Sequence, residues 1–114
     1  MTQLFALNDD HIAIRDMARD FADTQIAPHA LAWDEKKHFP VDVLKEAAAL
    51  GMASIYVREE HGGTGLGRLE AALIFEALST GCPAIAAFVS IHNMVSWMVD
   101  QFGNDEQRKH FLPD

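Results

Sequence analysis

Residues 84–102, AIAAFVSIHNMVSWMVDQF, are too long and too evenly apolar for a strand, and their polar residues do not alternate. Ser90, His92, Asn93 and Ser96 interrupt the run and Asp100 follows, whereas a membrane span needs about 20 mostly apolar residues. The stretch is therefore expected to be a buried helix of a soluble helical bundle. Gly81-Cys82-Pro83 forms a turn before it, and Gly103 closes it. Ile85, Val89 and Val99 are expected in the core. Ala87, Ser90, Ile91, Met94 and Met98 recur at spacings of three and four along another face. A face mixing one small hydroxyl with flexible apolar groups suits the wall of a pocket for an apolar chain, although from periodicity alone core is the first expectation. Periodicity leaves both open. His92, Ser96 and Asp100 make a polar row at spacings of four, facing either a neighbouring domain or solvent.

Helical signals continue on both sides of this run. Asn8 is placed to cap a first helix, with Asp9 and Asp10 where the helix dipole favours negative charge. Ile14, Met17, Ala18 and Phe21 carry its apolar face, and Pro28 ends the pattern. Residues 29–38 predict a short helix bearing Trp33. Pro40 starts another near Val41, with Val43, Ala47 and Leu50 inward and Gly51 at its end. Ala53 to Val57 is the only strand-like run. After the glycine loop, GGTGLG at 62–67, a helix is expected from near Leu66 to Ser79. Its apolar residues point nearly all round, which predicts a central position. Asn104-Asp105-Glu106-Gln107 opens a last helix with a capping-box pattern. The fold class is all-α, a bundle of about six helices in one domain spanning residues 1–114.

Composition narrows the function classes. Of 114 residues, 49% are hydrophobic and 23% charged, which is globular composition. A net charge of −8 argues against binding nucleic acid or anionic lipid through this segment. Cys82 is the one cysteine, which excludes an internal disulfide and fits a reducing compartment. Met1–Asn8 shows neither a secretory nor a transit pattern. The expected location is the cytoplasm for a bacterial chain and the mitochondrial matrix for a processed eukaryotic one.

Chemistry-bearing residues are sparse. GGTGLG has the wrong spacing for a dinucleotide-binding turn, lacks the following βαβ unit and carries no P-loop lysine, so it is expected to be a connecting loop needing positive φ angles. The six histidines include no pair four apart on one helix and no HExxH, so no metal site is expected. Cys82 has no base near it in sequence. Glu70 and Glu76 lie six apart, off each other's face, and neither is expected to be a general base. No catalytic constellation is expected in this chain.

The order of elements resembles the N-terminal helical domain of the acyl-CoA dehydrogenases. The similarity is carried by IRDMARDFA (14–22), IAPHA (26–30), Trp33-Asp34 before Phe39-Pro40, Leu50-Gly51-Met52, EEHGGTGL (59–66), GNDEQRK (103–109) and Phe111-Leu112-Pro113. A narrower similarity, to the isobutyryl-CoA branch of valine breakdown, rests on FEALSTGC (75–82), SIHNM (90–94) and Trp97-Met98. The resemblance implies an enzyme in which a glutamate takes the acyl-CoA α-proton while a β-hydride passes to FAD. The electrons then go to an electron-transfer flavoprotein. It implies a following β-domain and C-terminal helical domain, which supply most flavin contacts and the glutamate, and a homotetramer. By position it brings Ala87, Ser90, Ile91 and Met94 to one wall of the acyl pocket. The competing expectation is a stand-alone helical interaction module.

Overall fold

The computed structural model describes residues 6–113; the first five residues of the Met1–Asn8 stretch read for a targeting pattern, and Asp114, lie outside the described residues. Six α-helices follow in order: α1 (Asp9–Phe21), α2 (Ala30–Lys36), α3 (Val41–Ala49), α4 (Arg68–Gly81), α5 (Pro83–Phe102) and α6 (Asp105–Phe111). No strand forms among the described residues. Asn8 caps α1 reciprocally: its Oδ1 accepts the His11 N–H at 2.8 Å and its own N–H reaches His11 Nδ1 at 3.4 Å. The helix then widens into one π-helical turn, Ala22–Ile26, which keeps Ala22 and Ile26 fully buried before the chain turns at Ala27.

α4 packs against both α1 and α5 and holds the core together. Ala18, Phe21, Ile74, Leu78, Ile85 and Val89 lie at its centre, with Met52 and Ile55 completing it from the α3–α4 connection. The domain is a slab with principal extents of 47 × 41 × 17 Å. With packed helix axes about 8–10 Å apart, a slab 17 Å thick holds at most two helix layers, so a helix buried on one side meets the surface on the other. α4 holds the central position expected of it, between α1 and α5. Ala71, Ile74, Ala77 and Leu78 are buried, but Leu69 and Ala72 are exposed, so α4 is not enclosed all round.

Three of the differences from the sequence reading follow from where backbone N–H groups go. Ala53–Val57 makes no strand. It bends, and the Ile55 N–H that would pair with a neighbouring strand is taken by the Asn93 side chain at 2.7 Å. α4 starts at Arg68 rather than Leu66, because the Leu66 N–H is held by the Ile55 carbonyl at 2.7 Å and the Gly67 N–H by Glu70 at 3.2 Å. α5 includes Pro83, which is suited to a first helical position because its missing N–H has no partner to lose there. α6 opens as expected: Asn104 Oδ1 accepts the Gln107 N–H at 2.9 Å, and Gln107 Oε1 accepts the Asn104 N–H at 2.9 Å.

Candidate functional site

α5 presents three different faces. Its inner stripe runs through Ile85, Ala86, Val89, Asn93 and Asp100, all buried. On another side, Ala87, Ile91, Met94 and Met98 are exposed, with Ser90 half-buried at their edge. Ile91 keeps 57% of its surface and Met94 46%, so this side is not core within the domain. The four candidate residues Ala87, Ser90, Ile91 and Met94 thus share one apolar strip. The third side, through Phe88 and His92, borders a groove of about 410 Å³ lined also by Phe39, Val41, Leu44 and Phe111. Phe39 meets Phe88 edge-on with centroids 5.0 Å apart. None of the four candidate residues enters that groove.

The expected polar row along α5 divides. His92 is exposed and the Ser96 hydroxyl donates back to the His92 carbonyl at 2.9 Å. Asp100 faces neither a neighbouring domain nor solvent, because it is fully buried. Arg58 donates to its carboxylate from the backbone N–H at 3.2 Å and from Nε at 3.1 Å, and His61 Nδ1 makes a short contact with Oδ1. Arg108 of α6 donates to the Asp100 carbonyl at 2.9 Å. Burial alone would push the Asp100 carboxyl up. The hydrogen bonds from Arg58 and His61 and the guanidinium charge outweigh it and hold the carboxyl down at about 2. Bonding to Asp100 in turn pushes the Arg58 guanidinium above its ordinary value. Asp100 therefore ties the loop before α4 to the end of α5 through its carboxylate, and α6 to α5 through its backbone carbonyl. Sequence reasoning missed both this cluster and Asn93. The available signal was that positions 86, 89, 93 and 100 share one stripe, so two polar residues had to find partners inside.

The glycine loop is a connector. Gly62 and Gly65 take positive φ, +91° and +68°. Its amides point inward: those of Gly63, Thr64, Gly65 and Leu66 go to the carbonyls of Arg58, Ser54, Val57 and Ile55 at 2.7–3.1 Å. Amides engaged in this way do not cradle a phosphate. The loop accordingly does not fit the pyrophosphate of a dinucleotide. Glu70 caps α4 and lies 3.4 Å from His11 Nε2, while Glu76 is exposed. Cys82 is a free, half-buried thiol. Among the described residues no three His, Cys, Asp or Glu side chains gather as a metal site, and no helix is long and apolar enough to cross a membrane.

The comparisons with known proteins agree with this architecture. Residues 8–114 match the family model described as acyl-CoA dehydrogenase, N-terminal domain. The chain is 45% identical over 107 residues to a mitochondrial isobutyryl-CoA dehydrogenase of Bos taurus, and 49% identical over 107 residues to that of Dictyostelium discoideum. Each match covers 94% of this chain and 26% of the relative, so the chain spans about a quarter of the length of these relatives. An acyl-CoA dehydrogenase from Bacillus anthracis, solved as a complex with FAD, superposes with a TM-score of 0.78 at 32% identity, covering 98% of this chain and 19% of that one. A helical slab with the matching order of elements and family-specific sequence along nearly its whole length leaves one conclusion: this chain belongs to the acyl-CoA dehydrogenase family and has the fold of its N-terminal domain.

Proposed function

We propose that the chain is the N-terminal part of an FAD-dependent acyl-CoA dehydrogenase that desaturates a short or branched acyl-CoA resembling isobutyryl-CoA at the α and β carbons. In this reading Ala87, Ser90, Ile91 and Met94 form one wall of the acyl pocket. The observation that carries it is the uncovered apolar strip of α5, in a chain 45–49% identical to isobutyryl-CoA dehydrogenases. A β-domain and a second helical domain would close over that strip and bring the catalytic glutamate and most flavin contacts. The inward-pointing amides of the glycine loop fit a division of labour in which the flavin is held mainly elsewhere. The relatives' mitochondrial naming supports a matrix location if the source is eukaryotic; for a bacterial source the proposed location is the cytoplasm. The reading extends to transfer of electrons to an electron-transfer flavoprotein and to assembly as a homotetramer. Nothing in the fold favours a stand-alone interaction module.

Met94→Ala in the full-length protein tests the wall. It removes about three heavy atoms from the strip and enlarges the pocket, which favours longer acyl chains. Each methylene in an apolar pocket changes transition-state binding by about 1–3 kcal/mol, so the hexanoyl-to-isobutyryl ratio of kcat/KM should rise several-fold. The Met94 side chain is half-exposed in the domain, so this domain's stability should fall by less than about 1 kcal/mol. An unchanged ratio among isobutyryl-, butyryl- and hexanoyl-CoA, with a markedly lower melting temperature, would make Met94 core and sink the assignment.

A further inference from the structure

Among the described residues the outer strip of α5 makes no side-chain hydrogen bond; what fixes it in space lies on the opposite side of the helix. We propose that Asn93 is a positioning residue for the acyl wall, setting the depth and rotation of α5; this rests on the reading of Ala87, Ser90, Ile91 and Met94 as that wall. Asn93 is fully buried. Its Oδ1 accepts the Ile55 N–H at 2.7 Å, and its Nδ2 donates to the Met52 and Val89 carbonyls, both at 2.8 Å. The two amide hydrogens and the carbonyl oxygen are thus all engaged. The bond to Val89, one turn back on α5, orients the amide. The other two cross to the 52–55 segment.

That segment is itself firm, because Met52 and Ile55 are fully buried in the core. Apolar contacts let a helix slide or roll with small loss, whereas hydrogen bonds weaken steeply when distance or angle changes. Asn93 follows Ser90 by three residues and precedes Met94 by one, so any movement of the helix there moves the wall with it. Asp100, seven residues on and therefore on the same stripe, is the second anchor through the Arg58 amide and guanidinium. Two anchors on one stripe hold rotation as well as depth. Without Asn93, the half of α5 that carries Ala87, Ser90 and Ile91 is held by apolar packing, through Ile85, Ala86 and Val89 and through the edge-on contact of Phe88 with Phe39.

Asn93→Leu in the full-length flavoenzyme keeps the side-chain bulk and removes the three bonds. The hexanoyl-to-isobutyryl ratio of kcat/KM is expected to rise about fivefold as the wall loosens. Phe21→Leu, a buried substitution on α1 away from the strip, supplies a variant of lowered stability whose ratio should stay within about twofold of wild type. Met94→Ala is measured in the same series. A raised ratio in Asn93→Leu with none in Phe21→Leu supports the positioning role. Two outcomes overturn it. If Met94→Ala shifts the ratio while Asn93→Leu lowers only the melting temperature, Asn93 is structural and the wall stands. If Met94→Ala also leaves the ratio unchanged, the wall itself is misplaced and the positioning role falls with it.

Discussion

Asp100→Ala is expected to lower the unfolding free energy of the domain by about 3 kcal/mol, the low end for removing one partner of a buried ion pair. The low end applies because the Arg58 side chain left behind is 45% exposed and can rehydrate. Urea denaturation at neutral pH measures it, and a loss below about 1 kcal/mol would mean the cluster contributes no more than a surface pair. The pH dependence has a definite sign. The folded carboxyl sits at about 2, below its ordinary 3.8, so its stabilisation is complete above the ordinary value and lost as pH falls from there toward 2. Asp100→Asn should therefore differ from wild type by a constant amount above about pH 5, and the two curves should converge near pH 2. Curves that stay parallel down to pH 2 would remove the ionised carboxylate from the explanation.

Gly63→Ala should cost as much, about 3 kcal/mol, for a steric reason. A Cβ at Gly63 would run into the Val57 carbonyl and the Val57 Cβ, and the Gly63 N–H would pull away from its bond to the Arg58 carbonyl at 3.1 Å. Gly62 next door is the control. It needs a positive φ of +91° but has nothing within 4 Å of where a Cβ would go. Gly62→Ala should cost only the left-handed backbone penalty, about 1 kcal/mol. Thermal melts of the two variants rank them, and a larger loss for Gly62→Ala would mean that backbone conformation, not space, governs this loop.

The helices were legible from short-range rules. Asn8 and Asn104 announced two caps, Pro40 and Gly51 bracketed α3, and apolar spacing marked α5, because caps and periodicity act within one turn. What stayed hidden depends on partners distant in sequence. Ala53–Val57 has strand-like residues, but Asn93, 38 positions from Ile55, takes the amide that pairing would need. Asp100 looked like the end of a surface row until Arg58, 42 positions away, came to meet it. The all-round apolar pattern of α4 predicts its central position, and the 17 Å thickness of the slab explains why Leu69 and Ala72 nevertheless stay uncovered. The candidate strip on α5 is visible as a period, but periodicity does not separate pocket wall from core; the exposure of Ile91 and Met94 shows only that the strip is not core within this domain.

The flavin absorbance of the full-length protein and of the 114-residue chain, prepared side by side and mixed with isobutyryl-CoA, tests the proposed division of labour most directly. The full-length protein is expected to be yellow and to bleach as the acyl-CoA is oxidised. The 114-residue chain should emerge colourless and leave isobutyryl-CoA unchanged, because its glycine loop turns its amides inward and, in the proposed reading, the base belongs to another domain. A 114-residue chain that retains FAD and bleaches with isobutyryl-CoA would place the chemistry inside these helices and contradict that division.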